Sequence, residues 1–252
     1  MRCLLLILLF TRLLLQSSIA NEEVTVIIDP GHGGTNSSGS HLTKCNSSPN
    51  NAISPRGLKE KDLTLELSKE IQSALESEPI TKGIPSIRCV LTRTNDWNPD
   101  FSQRANVAAE STNPAALVSI HFNTFPHGGV LGTVALIHNK EHNPNHDADL
   151  RFADGLTAAT SAAVRTFVPG SPAMDSINDL HLHDGDGAYL FYQMSRHPQL
   201  CSVPKCFLEV EFIDRLDVQK KLLDHRSETF PLIAKSIADY LTDYIRQHPL
   251  QK

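Results

Sequence analysis

The chain is poor in aromatic residues and has no excess of positive charge. Of its 252 residues 6% are aromatic, with a single Trp, and 23 Lys and Arg stand against 28 Asp and Glu, a formal net charge of -5. Nucleic-acid binding leaves a basic footprint, and none is present, so nucleic acid is not expected as a partner. There is no uninterrupted apolar run of about 18 residues, the length a transmembrane helix needs. No CxxC pair occurs among the five cysteines, which argues against a zinc site built from cysteines alone. Internal repeats and low-complexity linkers are missing too. With 13 Gly and 15 Pro, the chain is neither collagen-like nor mainly disordered. What it does have is 40% hydrophobic residues, enough for one domain with a core, and twelve His. His supplies metal ligands and acid–base groups near neutral pH, so the positions of these His are the first question.

Residues 1–20 are not expected to belong to the fold. Arg2 precedes two apolar runs, Cys3–Phe10 and Leu13–Leu15, and Ser18 and Ala20 are small residues placed for cleavage. This is the pattern of a secretory signal peptide. Arg12, which interrupts the apolar run, speaks against the alternative of an uncleaved membrane anchor. The expectation is an exported protein, of the periplasm or extracytoplasmic cell envelope, with residues 21–252 as one mature domain. Without Arg2 and Arg12 its net charge is -7. The mature chain keeps Cys45, Cys89, Cys201 and Cys206, which allow three pairings. Cys201–Cys206 is the local candidate, against the alternative that some thiols stay free.

Periodicity gives the rest of the frame. Val24–Ile28, Ile87–Thr92, Ala116–His121, Val130–Ile137 and Cys206–Phe212 read as strands, most of them continuous apolar runs of the kind buried on both faces. Leu58–Glu76 is helical with Leu63, Leu67, Ile71, Ala74 and Leu75 on one stripe. Phe101–Ala109, residues 150–166 and Pro231–Arg246 are further helices, whereas Val168–His183 has no clear period. Residues 33–57 form a long loop rich in Gly, Ser and Asn, a length that is usually functional. Strands alternating with helices predict a single α/β domain: a mixed, mostly parallel, twisted sheet with helices on both faces.

Three clusters fall at element ends. His32 follows the first strand in Asp29-Pro30-Gly31-His32-Gly33-Gly34, Glu60 opens the first long helix, and His121 ends a strand. Ligands of open α/β sheets bind outside the carboxyl ends of the strands, where these three can meet. Two His and a carboxylate with an open fourth position make a catalytic zinc set. Glu209 and Glu211 lie in an apolar strand, where an acid is costly to bury without a role. By strand alternation they share a face, so either is a candidate for the general base.

These motifs resemble those of the zinc-dependent N-acetylmuramoyl-L-alanine amidases whose catalytic domain begins with a strand and DPGHGG. The resemblance runs from Val24 to about Arg246. It includes DPGHGG at 29–34, Glu60-Lys61, Thr92-Arg93, Arg104, the SIHxN pattern at 119–123 and Phe207-Leu208-Glu209. It implies that His32, Glu60 and His121 hold one Zn2+ and that Glu209 is the catalytic carboxylate. It also implies hydrolysis of the amide between N-acetylmuramic acid and L-alanine of the stem peptide, in wall remodelling or cell separation. Peptidoglycan and muropeptides would be the partners, with an activator protein as a further one, and the chain a monomer. The alternatives are a stem-peptide carboxypeptidase and a non-catalytic wall-binding module.

The sequence departs from that pattern at Glu211, where the family usually has Gly, at Ala109, in place of a frequent Asn, and in showing no wall-targeting module. Glu211 is expected either to share the base role or to raise the pKa of Glu209 as a like charge. Arg93 and Arg104 read as structural ion-pair partners rather than substrate clamps. Asp29 reads as a group that orients His32 or caps its loop. Asp175 and Asp179 would be the groups to plug the metal if residues 139–183 blocked it. His181 and His183 have metal-like spacing in an irregular stretch. Ser202-Val203-Pro204-Lys205 has the spacing of an acylating Ser-x-x-Lys motif, which Pro204 makes unsuitable for a helix.

Overall fold

The apolar run after Glu22 forms the first strand of a six-stranded sheet. The computed structural model describes residues 23–34, 47–77, 86–125, 129–181 and 188–249. The expected signal peptide, Cys45 and His183 lie outside them. The strands are β1 (Glu23–Pro30), β2 (Ser86–Leu91), β3 (Pro114–Asn123), β4 (Val134–Ile137), β5 (Ile177–Asn178) and β6 (Lys205–Phe212). Their order is β2-β1-β3-β6-β4-β5; β2, β1, β3 and β6 run parallel, and β4 pairs antiparallel with β6. The helices are α1 (Glu60–Glu76), α2 (Phe101–Ala109), α3 (His146–Arg165), α4 (Tyr189–Ser195), the single turn α5 (Leu216–Val218) and α6 (Arg226–Gln247).

Alternation along the strands divides the core into two layers. Val24, Val26 and Ile28 of β1, with Ala116, Val118 and Ile120 of β3 and Cys206, Leu208 and Val210 of β6, pack under α1, α3 and α6. Ile27 and Leu117 point the other way, against Ala105 of α2 and Phe191 and Met194 of α4. Helices therefore cover both faces of a mixed, mostly parallel sheet, as expected. Leu63, Leu67, Ile71 and Leu75 of α1 are all but fully buried. Burial of each such side chain is worth about 1.5–3 kcal/mol.

The boundaries differ from the periodicity in instructive places. The strand expected at 130–137 is confined to 134–137, because Gly132 has φ +140° and its N–H turns to the Glu211 carboxylate instead of a ladder carbonyl. Helix α6 begins five residues before Pro231, which lies inside it on the exposed side. Helix α4 and the two-residue β5 are too short for a period to reveal them.

The Cys201–Cys206 disulfide is not formed; Cys89, Cys201 and Cys206 are free thiols. Strand alternation sends the Cys206 side chain into the core layer under α3 and α6, whereas Cys201 sits half-buried in the preceding turn with its sulfur toward the carbonyls of Ser195 and His197. Burial pushes the Cys206 thiol well above its ordinary range and the Cys89 thiol in the same direction. Alkylation followed by peptide mapping should label Cys201 in the native protein, and Cys89 and Cys206 only after denaturation. Rapid native labelling of Cys206 would contradict this packing.

Candidate metal centre

The β1–α1 loop begins with a left-handed residue. His32 has φ +60°, a conformation that costs a non-glycine residue roughly 1–2 kcal/mol and concentrates at functional sites. Its neighbour Gly31 carries no Cβ because the His121 ring occupies that space; a Cβ there would lie 2.2 Å from the imidazole. The loop is held from beneath by two buried arginines. Arg93 donates to the carbonyls of Pro30 and Gly31, and Arg104 to those of Pro30 and His32, so three successive carbonyls are fixed.

Asp29 supplies the counter-charge. It accepts hydrogen bonds from Arg104 Nη1 at 2.7 Å, from Ser119 Oγ at 2.6 Å and from Thr92 Oγ1. Burial alone would raise its pKa, but Arg104 and the two hydroxyls hold it down at about 2. The five N–H groups of Arg104 are all engaged, with Pro99 O, Asp29, Pro30 O, His32 O and Asn98 Oδ1. None is left for a substrate, so Arg104 is a structural cradle, and Asp29 acts on the His32 loop through it.

The orientation of the His32 ring comes instead from Ser48, whose carbonyl accepts from Nδ1 at 2.8 Å. That bond leaves the Nε2 lone pair facing Glu60 Oε1 at 3.1 Å. His121 Nδ1 lies 3.0 Å from the same oxygen. Glu60 is fixed by main-chain N–H groups, from Ala52 to Oε2 at 2.9 Å and from Phe122 to Oε1 at 3.1 Å. The ligand atoms of His32, Glu60 and His121 all lie within 4.8 Å of one another, and all three residues are buried.

The electrostatics fit a cation. Burial works against ionised Glu60, yet the two imidazoles pull its pKa well below the carboxylate range. Burial also holds His121 down at about 4, despite Glu60, so its ring is neutral and able to ligate at neutral pH. Two imidazole nitrogens and a carboxylate oxygen that converge on one buried point are the donor set of a divalent zinc-type ion.

The open side of this cluster faces a cavity of about 340 Å³. Ser47, Ser48 and Asn51 line its polar side; Phe101, Tyr189 and Leu190 line the apolar side. Phe207 stacks on the His121 ring with centroids 3.7 Å apart. Glu209 stands beside His121 in strand register and lines the same cavity. Its Oε2 is buried without a hydrogen-bond partner. Burial, and then the nearby Glu60 charge, push its pKa well above the carboxylate range.

Glu211 does not share this face. Between His121 and Asn123 of β3, β6 advances from Glu209 to Phe212, an irregularity that gives β6 an extra residue. The Glu211 carboxylate accepts from Gly132 N at 2.9 Å, Phe212 N at 2.8 Å and the Ser171 hydroxyl. It fastens the β4 approach to the loop after α3, and neither the base role nor the like-charge role follows from its position. Asp179 is occupied away from the cluster, and Asp175 is exposed; no described residue between Asn139 and His181 lines the cavity. Lys205, buried at the start of β6, donates to the carbonyls of Leu200 and Val203, while Ser202 is exposed. Ser48 and the Ala188–Leu190 wall escaped the sequence reading because neither lies in a chemically distinctive motif.

Residues 26–243 match the Amidase_3 family model, described as N-acetylmuramoyl-L-alanine amidase. The chain is 31% identical over 104 residues to a probable N-acetylmuramoyl-L-alanine amidase, AmiB, of Haemophilus influenzae, 41% of this chain but 20% of that relative's length. The chain thus spans about a fifth of that curated relative. The fold is similar to that of an N-acetylmuramoyl-L-alanine amidase from Clostridium difficile 630, with a TM-score of 0.61 at 21% identity over 91% of this chain and 100% of the other. It is also similar to the CwlD amidase of Clostridioides difficile, solved in complex with the GerS lipoprotein, with a TM-score of 0.58 at 18% identity over 89% and 99% of the two chains. With a family match that runs from the first strand to the last helix, the chain belongs to the N-acetylmuramoyl-L-alanine amidase family.

Proposed function

We propose that this chain is a zinc-dependent N-acetylmuramoyl-L-alanine amidase that releases stem peptides from peptidoglycan. The observation that carries the reading is the convergence of His32, Glu60 and His121 at the base of a cavity whose wall holds the unpartnered carboxylate of Glu209. Bound by these three residues, zinc would polarise the lactyl carbonyl and bring the pKa of a water toward about 7. Ser48 keeps the His32 lone pair aimed inward, and the Ala52 and Phe122 N–H groups keep Glu60 from turning away. Glu209 takes the proton of the attacking water at its free oxygen and returns it to the alanine nitrogen as the amide bond breaks. The polar and apolar sides of the cavity suit a ligand that joins a sugar to a peptide.

Export by residues 1–20 belongs to this reading, since peptidoglycan lies outside the cytoplasm. Among the described residues no helix is long and apolar enough to cross a membrane. The complex of CwlD with GerS favours a protein partner for this chain as well.

The test is mass spectrometry of defined muropeptides incubated with the zinc-loaded protein. The expected product is the intact stem peptide, lost on chelation and recovered when zinc is restored. Release of a terminal D-Ala alone would favour the peptidase reading. No product at stoichiometric zinc would overturn both.

A further inference from the structure

The apolar side of the cavity is mounted on a buried His–Asp pair that the catalytic scheme above does not use. Asp179 is fully buried, and among the described residues no Lys or Arg is one of its hydrogen-bond donors. Its Oδ1 accepts from Asn139 N at 3.0 Å. Its Oδ2 accepts from His138 Nδ1 at 2.9 Å and from the main-chain N–H of Ala188 at 2.8 Å. Ala188 is the residue from which α4 starts, and Ala188, Tyr189 and Leu190 are the part of α4 that lines the cavity. The His138 ring also lies 5.8 Å from that of Phe191 in α4, so both members of the pair hold this helix. From the β4–β5 edge of the sheet, one carboxylate thus fixes where α4 begins.

We propose that Asp179 is a positioning residue for substrate, which sets the α4 wall against the muropeptide through Ala188 while leaving the metal cluster untouched. The inference rests on the amidase reading. Its physical content is a separation of duties. The groups that bear the chemistry come from β3, β6, α1 and the loop after β1, whereas among the described residues Asp179 meets the site at the start of α4. A shift of α4 should therefore weaken substrate binding and leave metal affinity unchanged. Replacing one carboxylate oxygen by an amide group places N–H against N–H on one side of Asp179, which breaks at least one of these bonds.

The experiment uses the full chain with the non-turning-over substitution Glu209→Gln, so that binding is read without cleavage. Calorimetry with an intact muropeptide, and separately with zinc alone, is compared with and without Asp179→Asn. Muropeptide binding is expected to weaken roughly tenfold, the equivalent of about one buried hydrogen bond, with zinc affinity unchanged. Tyr189→Ala should weaken binding too, and its effect should largely vanish in the Asp179→Asn background, because both act through the same wall. His138→Phe keeps the ring contact with Phe191 but removes one donor; it should produce a smaller loss in the same direction and serves if Asp179→Asn does not fold. Unchanged muropeptide binding, fully additive effects of positions 179 and 189, or a parallel loss of zinc affinity would each overturn the proposal. If the amidase reading itself fails, the chain with Asp179 intact binds no muropeptide, a result distinct from binding that is insensitive to position 179.

Discussion

Glu209→Gln should lower kcat on muropeptides by roughly 10³-fold, the middle of the range for loss of a general acid–base group, while zinc content stays at one per chain. The substitution keeps the shape of the side chain and deletes only its ability to take and return a proton. Glu60, His32 and His121 keep their contacts, since none of their hydrogen bonds involves position 209. The same change should raise the melting temperature of the zinc-free protein at pH 7. The Glu209 carboxyl is buried, its pKa is pushed up by burial and by Glu60, and its Oε2 has no partner. A carboxyl with a raised folded pKa costs the fold nothing below its ordinary titration range, and destabilises it progressively as pH rises from there toward the raised pKa. A neutral amide escapes that penalty. Activity and stability are thus expected to move in opposite directions, as they do where a site carries a destabilised group. A variant that keeps wild-type kcat would remove Glu209 from the mechanism.

Asp29→Ala should be the most damaging single substitution for stability. It leaves the Arg104 guanidinium, 1% exposed, without its carboxylate. Breaking a buried pair in this way costs about 3–5 kcal/mol, a large fraction of the 5–15 kcal/mol that typical domains possess. Chemical denaturation would measure it, and a loss under about 1 kcal/mol would refute the role assigned here. The pair also predicts an acid limit. Asp29 titrates at about 2 in the fold against an ordinary 3.8, so its contribution is complete above 3.8 and is lost as pH falls from there through about 2. The size of that contribution is roughly 2 kcal/mol. In Asp29→Asn the acid limb should flatten over that interval.

Much of this was legible in the residues, for identifiable reasons. Strands buried on both faces appear as apolar runs, so β1, β3 and β6 stand out, and the clusters at their ends follow. His32, Glu60, His121 and Glu209 stand out at element ends and in an apolar strand, and the structure brings them to one cavity. Local pattern fails where a distant backbone group decides the outcome. The Ser48 carbonyl, not Asp29, orients the His32 ring. Two-residue alternation places Glu211 beside Glu209, but an extra residue in β6 turns it toward Ser171. Proximity in sequence suggests a Cys201–Cys206 bridge, but Cys206 is a core residue of a strand and Cys201 belongs to the turn before it. Asp179, expected to plug the metal if its segment blocked the site, is instead engaged by donors from positions 138, 139 and 188.

The order of the strands has a kinetic corollary. β1 pairs with β3 and β3 with β6, so the segments that bring His32, His121 and Glu209 together are separated by nearly ninety residues at each step. Parallel pairings at such separation pay their loop-closure entropy before any contact repays it, which makes them slow to form. No early hairpin or single helix can hold the site, and no contiguous fragment shorter than about 180 residues contains its four side chains. During refolding, the ability to capture zinc should therefore appear with the last cooperative phase, later than the helical signal of α1 and α6.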